Sequence, residues 1–165
     1  MLAAPQLEPV VAYVGLGANL GDAARTIADA IERIGELPGT AVTARSSLYR
    51  SAPVDAPGPD YINAVVELRT GLNAPELLTR LQQIEQAGGR TRPFRNAPRT
   101  LDIDLLLFGS ASIASERLTL PHPRMHQRAF VLLPLAEIAP ALVSAKALAG
   151  ITSQFIARLT TGTED

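Results

Sequence analysis

The chain has 165 residues, of which 47% are hydrophobic and 19% are charged, and its formal net charge is -1 at pH 7. This length and composition predict one globular domain over residues 1–165, large enough to form a core without disulfides or a structural metal. The absence of cysteine excludes disulfides, thiolate catalysis and cysteine-ligated zinc. A net charge near zero argues against a general nucleic-acid or membrane-surface binder.

Neither a membrane span nor a signal peptide is expected from the sequence. No apolar run approaches the roughly 18–20 residues that a membrane span needs. Residues 1–9 lack the basic start and the long apolar centre of a signal peptide. We therefore expect a cytoplasmic protein, and we expect residues 1–9 and 160–165 to form loose tails.

The first part of the chain predicts a strand, a helix and a second strand. Residues 10–17 are β-branched and apolar, which indicates a central strand. Asp22 is placed to cap a helix that Gly35 ends, and residues 42–51 then alternate as a second strand does. The predicted buried stripe of the helix consists of Ile27, Ala30, Ile31 and Ile34.

Three glycines follow or interrupt the first strand. Gly15, Gly17 and Gly21 do not have the spacing of a dinucleotide-binding fingerprint, and no lysine lies near enough for a phosphate-binding P-loop. On pattern alone, we interpret them as a tight strand-to-helix turn.

The middle of the chain predicts a third strand over residues 61–69, after a proline-rich loop over residues 52–59. Its two faces should carry Ile62, Ala64, Val66 and Leu68 on one side, and Tyr61, Asn63 and Val65 on the other. The aromatic ring and the amide on one face suit a planar heterocycle, although a half-solvated sheet face is the simpler alternative.

A second helix should begin at Asn73 and Pro75, with Leu77, Leu78, Leu81 and Ile84 buried. A strand over residues 101–108 follows. The predicted fold is therefore α+β, with a ferredoxin-like βαββαβ core, a C-terminal strand and helix extension, and three α-β-α layers. In the extension we expect a helix over about residues 127–137, which Pro134 should disturb.

The stretch over residues 88–108 carries the strongest chemical signal. It contains four arginines without an intervening acid, namely Arg90, Arg92, Arg95 and Arg99. Asp102 and Asp104 then share one face of a strand, with Cα atoms roughly 6.5–7 Å apart. Two such carboxylates repel unless a cation lies between them, and magnesium is the usual choice beside phosphates. Forked guanidinium groups suit phosphate oxygens, so the stretch indicates a site for a polyphosphate and its metal.

Two alternatives to this interpretation remain open at this point. A D-x-D pair also occurs in nucleotidyl and glycosyl transferases, and the fold could serve a non-enzymatic ligand-binding module. An RNA-binding module is disfavoured because only 4% of residues are aromatic. His122, between two prolines, can donate to a phosphate, whereas His126 is expected at the surface.

Four segments together resemble the 6-hydroxymethyl-7,8-dihydropterin pyrophosphokinase family of the folate pathway. They are residues 13–22 (YVGLGANLGD), 59–64 (PDYINA), 98–104 (PRTLDID) and 120–124 (LPHPR). The match extends over about residues 11–140, and the most specific block is P-R-T-L-D-x-D-x-x-x-F-G. The resemblance implies transfer of the pyrophosphoryl group of ATP to the pterin hydroxymethyl group, by a monomer that acts on small molecules alone.

The resemblance also implies roles for individual residues. Asp102 and Asp104 would hold two magnesium ions, and the catalytic arginines would be Arg90, Arg92 and Arg99. The ATP side would comprise Gln82, Glu85, Ile103, Arg117, Thr119, His122 and Arg128. The pterin side would comprise Ser51, Ala52, Pro53, Val54, Tyr61, Asn63 and Phe130, with the two aromatic rings on either side of the pterin.

The chain departs from the pattern of some family members in one place. Some have a tryptophan shortly before the P-R-T-L-D block, where this chain has Asn96 and Ala97 and contains no tryptophan. The arginine loop is also about one residue shorter, and Phe94 is a candidate for the missing apolar contact.

Overall fold

The described residues of the first two thirds of the chain form five strands and two helices in the order β-α-β-β-β-α-β. The computed structural model describes residues 8–52, 58–88 and 101–159. In chain order the elements are β1 (Val10–Ala18), α1 (Ala23–Gly35), β2 (Thr40–Arg45), β3 (Tyr49–Ser51), β4 (Tyr61–Thr70), α2 (Ala74–Gly88), β5 (Asp102–Phe108), β6 (Ile113–Ala114), β7 (Thr119–Leu120), α3 (Ala129–Ile138), α4 (Ala145–Ala149) and β8 (Ile156–Arg158). Of the helices in these ranges, none combines the length and the apolarity that crossing a bilayer requires.

The main sheet is built around β1 and β4. Its strand order is β5-β1-β4-β3-β8, with β2 also pairing with β4, and each of these pairs is antiparallel. β1 and β4 pair along their whole length, from Val10 opposite Thr70 to Ala18 opposite Ile62. The mixed architecture of helices and an antiparallel sheet is the one that the sequence predicts.

Two sequence predictions were wrong in detail. The strand predicted over residues 42–51 is two strands, because Ser46 leaves the regular pattern and its hydroxyl accepts a hydrogen bond from the N–H of Val65 at 3.0 Å. Gly35 is the last residue of α1 rather than the residue after the helix, and Glu36 is the C-cap. Gly39, with φ of 59°, provides the positive dihedral angle in the turn that follows.

One face of the sheet is covered by α1 and α2. Asp22 caps α1 as predicted, since its carboxylate accepts a hydrogen bond from the N–H of Arg25 at 3.2 Å. The predicted stripes of both helices are buried, namely Ile27, Ala30, Ile31, Ile34, Leu77, Leu78, Leu81 and Ile84. They pack with alternate residues of β1 (Ala12, Val14, Leu16 and Ala18) in one hydrophobic cluster.

The opposite face of the sheet is covered by α3. Val131, Leu132 and Leu135 are buried with Tyr13 and Val65 in a second hydrophobic cluster. The sequence predicts that Pro134 disturbs this helix, but α3 continues through it from Ala129 to Ile138. Both faces of the sheet thus bury apolar surface, so the strand edges and ends are where polar groups collect.

A carboxylate on α3 ties this helix to the β2–β3 connection. Glu137 accepts hydrogen bonds from the hydroxyl of Tyr49 at 2.8 Å and from the N–H and hydroxyl of Ser47 at 3.0 and 2.9 Å. Burial, and then the hydrogen bond to Glu137, raise the pKa of Tyr49 to about 12. Burial alone would raise the pKa of Glu137, but these hydrogen bonds hold it below its ordinary value.

We predict that Tyr49→Phe lowers the free energy of unfolding by about 1.5 kcal/mol near pH 8, because a hydrogen bond to a carboxylate is lost. Below pH 10 the tyrosine is protonated in both the folded and the unfolded protein. Between its ordinary pKa of 10.0 and its folded pKa of about 12, the unfolded chain ionises first, so this stabilisation declines as the pH rises. The difference between wild type and variant should therefore shrink from pH 8 to pH 11 in urea unfolding experiments.

The pKa of Tyr13 is also raised to about 12. Since Tyr13 is present in both wild type and variant, its contribution to the pH dependence cancels in the difference between their unfolding free energies. A difference in unfolding free energy that stays constant between pH 8 and pH 11 would contradict the role of the Tyr49 hydroxyl.

Candidate active site

A cavity of about 1380 Å³ lies where β1, β4 and β5 meet the start of α3. Its walls come from four strands of the sheet (β1, β3, β4 and β5), from α2, from the segment between β6 and the start of α3, and from the residues before β8. A cavity of this size is larger than a single small heterocycle requires.

The register of the three strands explains how the floor of the cavity forms. Gly17 lies opposite Asp102 on one side and opposite Asn63 on the other. Gly15 lies opposite Asp104 in the same way. Residues directly opposite each other on neighbouring strands share a face, so the two glycines leave open the space between the carboxylates and the amide. The turn interpretation therefore holds for Gly21, with φ of 60°, but not for the two strand glycines.

The two carboxylates project from an edge strand of the described sheet. Asp102 and Asp104 are both half-buried, and the side chain of Asp104 remains 48% exposed. Glu85 on α2 accepts a hydrogen bond at 2.8 Å from the N–H of Ile103, the residue between them. Since an edge strand has backbone groups that no neighbouring strand satisfies, Glu85 fixes the backbone that carries both aspartates.

At one end of the cavity, the amide of Asn63 is held in a fixed orientation. Asn63 is 3% exposed, and its amide nitrogen donates to the hydroxyl of Ser51 at 2.8 Å and to the carbonyl of Tyr49 at 3.4 Å. Tyr61 and Phe130 are half-buried and line the same cavity. Burial and then the nearby carboxylate of Asp102 raise the pKa of Tyr61, which keeps it neutral. This end offers two aromatic rings and a buried amide.

At the other end, His122 lies beside the carboxylate pair. Its backbone N–H donates to the carbonyl of Leu106 at 3.0 Å, and its Nε2 is 4.0 Å from Asp104 Oδ1. Burial lowers the pKa of His122, Asp104 opposes that shift, and Arg128 and Arg124 add to it. Nδ1 accepts a hydrogen bond from the N–H of Arg124 at 3.2 Å, so the ring geometry fits a neutral imidazole that carries its proton on Nε2.

Three arginines, Arg117, Arg124 and Arg128, provide positive charge on this side of the cavity. Arg117 donates to the hydroxyl of Thr79 on α2. The guanidinium of Arg128 lies 5.4 Å from the centroid of the Phe130 ring. Arg128 thus stands between the aromatic end and the histidine end, where a cation–π contact limits its freedom.

Every predicted site residue within the described ranges lines this cavity. These residues are Ser51, Ala52, Tyr61, Asn63, Gln82, Glu85, Asp102, Ile103, Asp104, Arg117, Thr119, His122, Arg128 and Phe130. The other predicted site residues, Pro53, Val54, Arg90, Arg92 and Arg99, lie outside the described residues, as do Phe94, Asn96 and Ala97.

Sequence reasoning missed several residues that also line the cavity. Gly15 and Gly17 form its floor, and Gln154 and Phe155 reach it from the segment before β8. The glycines carried a usable signal, because two glycines spaced two residues apart on β1 match the spacing of the two aspartates on β5, its neighbour in the sheet. Nothing in the local sequence around Gln154 indicates a site.

The comparisons with known proteins agree on one family. The model of the 7,8-dihydro-6-hydroxymethylpterin-pyrophosphokinase (HPPK) family matches residues 13–140. The 2-amino-4-hydroxy-6-hydroxymethyldihydropteridine pyrophosphokinase of Synechocystis is 49% identical over 129 residues, which are 78% of this chain and 66% of the relative. The Haemophilus influenzae protein of the same name is 44% identical over 135 residues, which are 81% of this chain and 84% of the relative.

Solved structures agree at the level of the fold. Plasmodium falciparum HPPK-DHPS in its wild-type form with pterin and p-hydroxybenzoate matches with a TM-score of 0.64 and 15% identity. That match covers 83% of this chain and 41% of the longer Plasmodium chain. The chain thus spans less than half the length of that structure.

The floor of the cavity yields a prediction with a matched control. A Cβ at Gly17 would lie 3.2 Å from Asn63 Oδ1, which is closer than an ordinary contact, whereas a Cβ at Gly15 would meet Leu106 Cδ1 at 3.5 Å. Gly17→Ala should therefore displace the amide and weaken binding of the predicted pterin substrate by about 1–2 kcal/mol, or roughly 5–30-fold. Gly15→Ala should weaken it less. Calorimetric titration with the hydroxymethyl dihydropterin measures both, and equal losses in the two variants would contradict the role of Gly17.

Proposed function

Because the chain belongs to the 7,8-dihydro-6-hydroxymethylpterin-pyrophosphokinase family, we propose that it transfers the pyrophosphoryl group of ATP to 6-hydroxymethyl-7,8-dihydropterin, as a step of folate synthesis. The observation that carries this proposal is one cavity in which Asp102 and Asp104 lie beside an aromatic and amide pocket. An enzyme that joins a polyphosphate to a heterocycle needs both kinds of surface in contact.

In the proposed reaction the hydroxymethyl oxygen forms a bond to the β-phosphorus of ATP. The bond between that phosphorus and the oxygen bridging to the α-phosphate breaks, and AMP leaves with this oxygen. The hydroxyl proton passes to solvent or to a carboxylate of the site. Such a transfer depends mainly on alignment and on neutralising charge, and it requires no covalent intermediate on the protein.

The pterin end binds and orients the acceptor in this proposal. Tyr61 and Phe130 contact the two faces of the flat ring, and the side chain of Asn63 hydrogen-bonds its polar edge. The backbone of Ser51 and Ala52 lines the pocket, and we extend it to Pro53 and Val54 by family likeness. The hydrogen bond from Asn63 to Ser51 supports this proposal, because it orients the amide before any ligand arrives.

The nucleotide end binds and orients ATP. The phosphates and the sugar contact four residues, namely Arg117, Thr119, His122 and Arg128. Gln82, Glu85 and the backbone of Ile103 lie on the opposite side of the nucleotide. A neutral His122 donates through Nε2, which supports a role as a hydrogen-bond donor rather than as a base. Arg90, Arg92 and Arg99 are proposed to add positive charge from the arginine loop.

The carboxylates fit a hard divalent cation. Asp102 and Asp104 offer oxygen ligands on one strand face, and the glycines opposite them leave space. Within the described residues there is no group of three or more acidic or histidine side chains that could complete a metal site alone. Magnesium ions usually keep water and take substrate phosphates as ligands, so the small set fits this use. We propose that Asp102 and Asp104 hold two magnesium ions, which would neutralise phosphate charge and acidify the acceptor hydroxyl.

We further propose that the fold is a ferredoxin-like plait extended by a C-terminal strand and helix. The strand order β5-β1-β4-β2, with each pair antiparallel, supports this proposal, as do helices packed on both faces of the sheet. β2 and β3 together then correspond to one strand of the plait, interrupted between them.

We predict that wild-type protein with ATP, magnesium and the hydroxymethyl dihydropterin forms AMP in a pterin-dependent reaction. Asp102→Asn and Asp104→Asn should each lower this turnover by roughly 10²–10³-fold, because the charge that neutralises the phosphates and their metal is lost. Chromatographic separation of AMP from ADP, with a magnesium titration, measures the effect.

Asp29→Asn is the matched control, since Asp29 is 65% exposed on α1 and lies outside the cavity residues. It should leave turnover unchanged. Pterin-dependent formation of ADP by the wild type, or folded wild-type protein without pterin-dependent turnover, would overturn the proposed function.

A further inference from the structure

The segment before β8 holds the start of α3 through one side chain. Arg128 is the N-cap residue of α3, but its side chain makes no capping hydrogen bond. The first N–H groups of the helix therefore lack the usual side-chain partner. Gln154 supplies one, because its Oε1 accepts from the N–H of Ala129 at 2.9 Å. Its Nε2 donates to the carbonyl of Gln127 at 2.7 Å. Both groups of one amide thus hold the backbone immediately before Phe130.

The next residue presents an aromatic ring to the cavity. Phe155 is 57% exposed and is one of three large hydrophobic residues exposed in the described part of the chain, with Val11 and Leu142. Of these three, only Phe155 lines the cavity. A ligand that covers exposed apolar surface on the wall of a cavity gains binding free energy, so such surface indicates a binding site.

The following residue connects this segment to the opposite wall of the pocket. β8 pairs with β3 so that Ile156 lies opposite Ser51, whose hydroxyl accepts the hydrogen bond from Asn63. Phe155 therefore lies at the end of the pair where Ala52 leaves β3. Residues 154–156 link the Phe130 wall and the Asn63 wall, and Phe155 is the side chain at the link.

We propose that Phe155 is a further substrate-contacting residue at the pterin end, and that Gln154 is a positioning residue acting through Phe130. This inference rests on the proposed function. Phe155 has no polar group, so it contributes by packing against the flat ring and by excluding water from its outer edge. Gln154 acts by fixing the backbone at the start of α3, since both groups of its amide are hydrogen-bonded to backbone atoms of residues 127 and 129.

Calorimetric titration tests Phe155, with magnesium and a non-hydrolysable ATP analogue present and hydroxymethyl dihydropterin as the titrant. Phe155→Ala should raise the pterin Kd about fivefold to tenfold, and Phe155→Tyr should restore it to within about twofold of the wild type. The Kd of the ATP analogue alone should not change. Leu142→Ala is the matched control, since Leu142 is 44% exposed and lies outside the cavity.

A double-mutant cycle tests Gln154. If Gln154 acts through Phe130, Gln154→Ala raises the pterin Kd in the wild type but adds little to Phe130→Ala. Additive losses would overturn the positioning role, because a general structural defect does not depend on the ring at position 130. Urea unfolding of each variant identifies any that has lost the fold.

Binding and turnover by the wild type separate the proposed function from the role of Phe155. A wild-type protein that neither binds the pterin nor forms AMP overturns the proposed function and this inference with it. A wild type that binds and turns over the pterin, with an unchanged pterin Kd in Phe155→Ala, overturns the role of Phe155 alone.

Discussion

The site depends on the register of β1 between β4 and β5. This register sets Gly17 between Asp102 and Asn63, and Gly15 beside Asp104. A slip of one residue would turn every side chain of β1 to the other face, so that the large side chain of Leu16 would occupy the face on which the glycines now leave space. Register is strongly specified here because the alternate residues of β1 are buried under α1 and α2. The same burial that stabilises the sheet therefore holds the carboxylates and the amide at opposite sides of a glycine floor.

The cavity separates two kinds of chemistry over a short distance. Its aromatic end holds a buried amide in one orientation, whereas the carboxylate end remains half-exposed, with a histidine and arginines nearby. An apolar wall suits a planar acceptor, and a wet, charged wall suits phosphates with their cations. Phosphoryl-type transfer needs these two ligands aligned with little covalent assistance, so the arrangement fits the proposed reaction better than it fits a simple binding module.

Three polar side chains share one structural role. Glu85 accepts from the backbone between the aspartates, Glu137 holds the residues before β3, and Gln154 holds the start of α3. Each satisfies backbone N–H groups that a regular strand or helix would otherwise leave without a partner. Helices and the C-terminal segment thereby support the wall residues of the cavity, so the precision of the site comes from elements that do not themselves contact both substrates.

The helix stripes, the main strands and part of the cavity lining within the described ranges could be predicted from the sequence. Period-3.6 burial in α1 and α2, and the shared face of Asp102 and Asp104, follow from local geometry alone. The family followed from four short segments and was confirmed by the comparisons. Only the tertiary structure decided the break at Ser46, the strand role of the glycines and the place of Gln154 and Phe155. Those features depend on partners far along the chain, as Ile156 opposite Ser51 shows, and pairing over such separations leaves no periodic trace in the local sequence.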